Sequence, residues 1–287
     1  MSDYLPLNNI YCMNCEEGMR YLKSDSINLT ITSPPYDNIR NYNGYNVNFE
    51  VVIEELFRVT KSGGVVVWVV GDKTEIGESC SSFKQALLFK EKGFYLYDTM
   101  IFQKKNPTPL NHGRYQQCFD FMFIFSKGKP EVFNPIMVTC KTAGNYQSKN
   151  KYRHTAEDTL SPLHKKGTTK SYKIRNNIWE YAVGGKKDKT IINRINSAPF
   201  PTSLVIDHIV SWSNKGDIVL DPFMGSGTTP IIAFLLDRQY IAFEISIKYF
   251  NHANREINRI INTKSSDNNL SSFISKIKKF DEERILM

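Results

Sequence analysis

The sequence predicts an α/β fold in which helices cover both faces of a parallel-rich sheet. Short apolar runs alternate with helical patterns in the first 130 residues and again after residue 197. A glycine turn, Gly225 to Gly227, follows a short buried strand and precedes an apolar helix. A proline turn, Thr32-Ser33-Pro34-Pro35-Tyr36, closes another buried strand.

Taken in order, Ile27 to Ile31 reads as the strand that enters the proline turn. Val51, Ile53, Leu56, Phe57 and Val59 recur at helical spacing, and Lys61-Ser62-Gly63-Gly64 is expected to stop that helix. Val65 to Val70, β-branched and aromatic, reads as a central strand. A helix is expected over Phe83 to Lys92, ending at Gly93, with strands at Phe94 to Phe102 and Phe119 to Phe125. Glu131 to Asn196 has no clear periodicity and fits loops and small elements. Beyond Pro201, Leu204, Val205, Ile209 and Trp212 trace a helical face, and Asp217 to Leu220 is a short buried strand. The glycine turn leads into a helix over Pro230 to Leu236, then a strand, Tyr240 to Phe243, that ends at Glu244. Ile247 to Ile261 is an amphipathic helix, and the polar tail from Thr263 turns helical from about Leu270. The chain therefore divides at 1–130, 131–196, 197–262 and 263–287.

Composition narrows the function. With 287 residues, 41% of them hydrophobic, the chain has ample material for a core. No apolar run could cross a bilayer, and Met1 to Leu7 lacks the pattern of a signal peptide, so a cytoplasmic protein with no membrane association is expected. Cys12 and Cys15 form a CxxC without a second pair to complete a zinc tetrad, and Cys140 with His154 and His164 matches no ligand spacing; no metal is expected. The formal net charge is +8. Between Lys141 and Arg194, thirteen basic residues stand against four acidic ones, so an excess of nine is confined to that segment. A solvated insertion would explain it. A nucleic-acid surface explains it better, with Lys165, Lys166, Lys170, Lys173 and Arg175 as phosphate contacts and Tyr146, Tyr152, Tyr172, Trp179 and Tyr181 as stacking or packing groups.

The glycine turn reads as a cofactor site. Gly225 and Gly227 let a ligand approach the backbone, and Glu244 ends the next strand, where a carboxylate can take both hydroxyls of a ribose. No lysine follows the glycines, as a phosphate cradle would want; Thr228 and Thr229 stand there. Asp221 before the turn would repel a pyrophosphate and suits a cationic ligand such as a sulfonium with an ammonium group.

The proline turn reads as the chemical site. An exocyclic amino group of a base is a poor nucleophile because its lone pair is delocalised into the ring. Two acceptors, the Ser33 side chain and the Pro34 carbonyl, would hold its hydrogens and draw the nitrogen toward tetrahedral geometry. Pro34 and Pro35 stiffen the turn, and Tyr36 offers a face on which an extruded base can stack.

Thr32 to Tyr36 and Asp221 to Thr229 resemble the catalytic and cofactor motifs of the amino-methylating DNA methyltransferases, and their order resembles that family's permuted β group, common in restriction-modification systems. The resemblance implies a Rossmann-like S-adenosylmethionine-dependent methyltransferase fold with a mixed seven-stranded sheet, base flipping, and methyl transfer without a covalent enzyme intermediate. It implies catalytic roles for Ser33, Pro34, Pro35 and Tyr36. By the same resemblance Asp221, Pro222, Phe223, Gly225, Ser226, Gly227 and Thr228 hold the methionine part of S-adenosylmethionine, Glu244 its ribose, and Asn14 and Cys15 flank its adenine. Thr32, Phe200 and Pro201 complete that site. Asn196-Ser197 depart from the His-Pro pair common in the family. Segments 1–130 and 197–262 become the catalytic and cofactor halves, and the basic insertion 131–196 the target-recognition region for double-stranded DNA.

In this family a serine before the two prolines is more often associated with N4 of cytosine, which is the expected target; N6 of adenine is the alternative. Ring-carbon methylation needs a nucleophilic cysteine, and no Pro-Cys dipeptide occurs. An RNA amino-methyltransferase or an idle DNA-binding protein on the same scaffold are the other readings; intact Ser33, Tyr36, Asp221 and Glu244 argue against the idle one. A homodimer and a cognate restriction endonuclease are both compatible with the sequence.

Overall fold

The computed structural model describes residues 4–35, 47–74, 76–107, 109, 113–144, 146–147, 151–154, 159–163, 167–183, 200–262 and 268–283. In chain order the elements are β1 (Asn9–Cys12), α1 (Cys15–Gly18), β2 (Ile27–Thr32), α2 (Phe49–Val59), β3 (Thr60–Val70), α3 (Ser81–Glu91), β4 (Tyr95–Lys104) and β5 (Phe119–Ser126). Then come β6 (Met137–Thr139), β7 (Tyr146–Gln147), β8 (Lys151–His154), β9 (Leu160–Leu163), β10 (Gly167–Thr168), β11 (Tyr172–Ile174) and β12 (Ile178–Tyr181). The chain ends with α4 (Thr202–Trp212), β13 (Ile218–Asp221), α5 (Thr228–Leu235), β14 (Gln239–Glu244), α6 (Ile247–Asn262) and α7 (Asn268–Glu283).

Two compact units result, one of residues 1–134 and 177–286, the other of 135–176. The larger is an eight-stranded sheet in the order β1-β14-β13-β2-β3-β5-β4-β12. The first five strands are mutually parallel, β5 runs antiparallel to both β3 and β4, and β12 is parallel to β4. The mixed sheet is as expected, but it has one strand more than seven. Asn9–Cys12 and Ile178–Tyr181 are the two strands not singled out in the sequence, the second from the segment that showed no periodicity. The four residues of the second alternate outward and inward, too short a pattern to stand out among cations. Trp179 and Tyr181 are consequently buried sheet residues and not stacking groups for a nucleic acid. The Trp179 ring lies 4.8 Å from that of His208, and Tyr181 donates to Asp207 at 2.5 Å.

A second correction concerns Lys61-Ser62-Gly63-Gly64. Helix α2 is capped by Asn48, whose side chain accepts from the Glu50 and Val51 amides, and ends at Val59; Thr60 and the four residues after it belong to β3. They form an irregularity in pairing, since Ile27 faces Thr60 while Leu29 already faces Val65. Gly63 makes it possible with φ +78, and a Cβ there would lie 2.9 Å from that of Glu131.

The core on one face of the sheet is aromatic. Phe89 of α3 stacks on Phe125 of β5 at 4.0 Å, and Trp68 of β3 meets Phe89 edge-on at 5.0 Å. Such pairs add about 0.5–1.5 kcal/mol each beyond their burial. Helix α4 is buried nearly all round, more than the single apolar face legible in its sequence. The smaller unit is one interrupted antiparallel ribbon: β6 pairs with β11, β7 with β10 and β8 with β9, nested in that order.

Helix α7 is tied to the larger unit by a buried ion pair between Arg238 and Asp281, whose side chains are 1% and 2% exposed. Arg238 also donates to the carbonyls of Leu236 (2.7 Å) and Ser213 (2.8 Å). Asp281→Ala strands a buried guanidinium and is expected to cost about 3–5 kcal/mol, whereas loss of the exposed Lys215–Glu282 pair through Glu282→Ala costs under about 1 kcal/mol. Urea unfolding of the two variants reads the difference directly.

Candidate active site

In the larger sheet the chain runs from β13 to β14 in one direction and from β2 to β3 in the other, so a topological switch lies between β13 and β2. Ligands of open α/β sheets bind at the carboxyl ends of strands at such a switch. The proline turn and the glycine turn leave β2 and β13 at that point, with Leu220 opposite Thr30.

The first link between the turns is buried. Thr32 Oγ1 donates to Asp221 Oδ1 at 2.7 Å, and the Phe223 amide donates to the same oxygen at 3.1 Å. Burial raises the Asp221 carboxyl to about 6, against the hydrogen bonds of Thr32, Thr229 and Phe223 that lower it. Beyond Asp221 the backbone reverses through Gly225 (φ 54) and Gly227 (φ 83), conformations that disfavour a side chain. A Cβ on Gly227 would also sit 3.0 Å from that of Ala253.

Glu244 closes the turn from the other side. Its Oε2 accepts from the Gly225 amide (2.9 Å), and its Oε1 from the Ser246 amide (2.7 Å). Burial raises its carboxyl to about 7; the Ser246 and Gly225 amides oppose that, and the charge of Asp221 adds to it. The same strand end is level with Cys12 of β1, which brings Asn14 and Cys15 to this side of the sheet. The Asn14 side chain is occupied as the cap of α1, accepting from the Glu16 amide at 2.9 Å. Cys15 is buried and its thiol is pushed far up by that burial, so it is a packing thiol and no nucleophile.

Ser33 and Pro35 are half-buried and Pro34 is buried at the tip of β2, beside Thr32. Tyr36 lies outside the described residues, as do Lys165 and Lys166. Pro201 is the N-terminal cap residue of α4 and is buried, with Phe200 half-buried before it; α4 packs against α5 and β2. Pro222, Phe223 and Ser226 all lie in the turn itself, and the Phe223 ring meets Trp68 edge-on at 6.2 Å. Lys170 and Lys173 are exposed and Arg175 half-buried in the smaller unit. Sequence reasoning passed over Asp72, just after β3, whose carboxylate gathers Ser79, Ser81 and Ser82; its signal is a polar residue at the end of an apolar strand with a serine cluster just downstream.

The donor set fits an adenosine cofactor with a cationic tail: a buried carboxyl at Asp221 and a half-buried one at Glu244, no phosphate-binding lysine, and a buried Thr228 hydroxyl without a hydrogen-bond partner among the described residues. Among those residues no group of three or more His, Cys, Asp or Glu could hold a metal ion. No described helix is long and apolar enough to cross a membrane.

The fold is that of a DNA methyltransferase. The family described as DNA methylase, covering N6 and N4 methyltransferases, matches residues 27–255, and the chain belongs to it. It is 50% identical to the orphan methyltransferase M.BamHII of Bacillus amyloliquefaciens over 82% of this chain and 90% of that one. It is 24% identical to the Type II methyltransferase M1.MboII of Moraxella bovis over 89% and 98% of the two chains. The cytosine-N4-specific PvuII DNA methyltransferase shares the fold, with a TM-score of 0.61 at 18% identity over 97% of this chain and 93% of that one. M1.HpyAVI, solved as a complex with S-adenosylmethionine, shares it with a TM-score of 0.55 at 24% identity over 87% and 98%.

The raised carboxyls carry a pH prediction. Both bind protons more tightly folded than unfolded, so their contribution to stability is greatest below their ordinary values near 4 and is lost as pH rises to about 6 and 7. A ligand ammonium favours ionised Asp221, so binding must expel its proton at acid pH. From pH 5 to pH 7 affinity for S-adenosylmethionine is expected to rise about tenfold more than affinity for 5′-methylthioadenosine, which keeps the ribose but lacks the ammonium. Isothermal titration calorimetry at both pH values checks this.

Proposed function

We infer that this protein is a site-specific methyltransferase that acts on double-stranded DNA and methylates the N4 nitrogen of a flipped cytosine. The observation that carries the reading is the Thr32–Asp221 hydrogen bond, which fixes the proline turn beside the cofactor turn. S-adenosylmethionine, when bound, supplies an electrophilic methyl group on a sulfonium and leaves as the thioether. Asp221 would hold its ammonium group, Glu244 would take the ribose hydroxyls, and Thr228 and Ser226 would complete the amino-acid subsite. Asn14, Cys15, Phe200 and Pro201 enclose the remainder. Ser33 Oγ and the Pro34 carbonyl accept the two amino hydrogens of the base, Pro35 stiffens the turn, and Tyr36 stacks on the base. With the cofactor bound, these residues would hold the amino nitrogen toward its methyl group, and the proton released on transfer would pass to solvent.

The catalytic strand β2 precedes the cofactor strand β13 in the chain, the order of the permuted β group. The choice of cytosine rests on Ser33 standing before the two prolines. The ribbon of residues 135–176 serves as the recognition element: a two-stranded ribbon fits the major groove, and Lys170, Lys173 and Arg175 lie on it or beside it, with Lys165 and Lys166 in the intervening chain.

Methylation of genomic DNA by the purified protein, followed by nucleoside mass spectrometry, is expected to yield 4-methylcytosine. A 6-methyladenine product would overturn the choice of base, and no modified base would overturn the reading. Ser33→Ala and Tyr36→Ala are each expected to lower kcat roughly a hundredfold while keeping cofactor affinity.

A further inference from the structure

The carboxyl edge of the sheet carries a second built feature beside the catalytic turn. Thr32 of β2 lies opposite Trp68 of the parallel strand β3, so the chain beyond Val70 emerges next to Ser33 and Pro34. Phe121 of the antiparallel strand β5 lies opposite Val70, which brings the residues before β5 to the same edge.

The loop after β3 is held at its base. Asp72 accepts from Ser79 Oγ (3.1 Å), Ser81 Oγ (3.1 Å), the Ser82 amide (2.9 Å) and Ser82 Oγ. The Ser79 amide donates to the Lys73 carbonyl at 2.9 Å, and Thr74 bridges Glu78 in antiparallel register, with Ile76 beyond the bridge. The two loops are also joined. Arg114 Nη2 donates to the Ile76 carbonyl (2.8 Å), and Thr74 Oγ1 to Gln117 Oε1 (3.2 Å). On this joined structure Ile76 is 101% exposed and Tyr115 100% exposed. Single exposed hydrophobics are ordinary on a surface. Here, however, a network of hydrogen bonds holds two of them in water at the edge where the chemistry takes place, and the exposed Lys105 and Arg114 add positive charge nearby.

A base must leave the stack to reach Ser33, and its departure opens a gap in the duplex. Apolar and aromatic side chains are suited to enter such a gap. We propose that Ile76 and Tyr115 form a wedge that enters double-stranded DNA at the target base pair, filling the space of the extruded base and meeting its unpaired partner. The proposal rests on the reading of the protein as a methyltransferase acting on a flipped base. It makes these two residues positioning groups that touch DNA and not the cofactor.

The test uses the full chain with Ile76→Ser, Tyr115→Ala and both together. Methylation is measured on a duplex bearing the recognition sequence mapped from genomic DNA, and on the same duplex with the target base mispaired, with cofactor affinity measured in parallel. A mispair lowers the cost of extrusion and should rescue a missing wedge. The expected result is a fall in kcat/KM of about ten- to a hundredfold on the paired duplex, under about threefold on the mispaired one, and unchanged cofactor affinity. Equal losses on both duplexes, full activity on the paired duplex, or weakened cofactor binding would each overturn the wedge while leaving the methyltransferase reading in place. Absence of methylation by the unsubstituted protein on both duplexes would remove that reading, and the wedge with it.

Discussion

The Thr32–Asp221 hydrogen bond is the constraint on which the site depends. It joins residues 189 positions apart in the chain, at the tips of adjacent parallel strands, and it is buried. In a low-dielectric environment such a bond to a carboxylate is strong, and removing Asp221 would strand the buried Thr32 hydroxyl. Each residue also begins a turn: Thr32 leads into Ser33 and Pro34, and Asp221 into the two glycines. A shift of one turn is therefore passed to the other, and a methyl donor and an acceptor nitrogen need that kind of fixed separation.

The second feature is electrostatic. Asp221 is buried and Glu244 largely so, burial raises the proton affinity of both, the charge of Asp221 adds to that of Glu244, and neither forms an ion pair among the described residues. The folded chain therefore carries an arrangement that opposes its own stability at neutral pH, a common property of sites shaped for a ligand. A cationic cofactor tail beside Asp221, as proposed above, would relieve it. The same logic explains why the turn has glycines and threonines where a phosphate-binding loop would have a lysine.

Much of this was legible in the sequence because it is local. The strand, glycine turn and helix around Asp221, the carboxylate of Glu244, and the rigid turn after Thr32 each have a short-range signature. Ile178–Tyr181 was hidden because its four residues pair only with distant β4, and the burial of Trp179 and Tyr181 comes from that pairing. Lys61 to Gly64 reads as a helix stop, yet tertiary pairing draws it into β3 around the left-handed Gly63. The Asp72 cluster and the joined loops that carry Ile76 and Tyr115 depend on contacts between separate segments. The cap role of Asn14, by contrast, is local, and its signal is the pair of acidic residues that follows it.

The most direct measurement of the central claim is Thr32→Val, which keeps the shape of the side chain and removes only the bond to Asp221. With cofactor affinity, turnover and unfolding measured together, affinity and kcat are both expected to fall, each about tenfold or more, in a protein that remains folded. A Thr32→Val protein with unchanged affinity and unchanged turnover would show that the two turns are positioned independently, and would contradict the account.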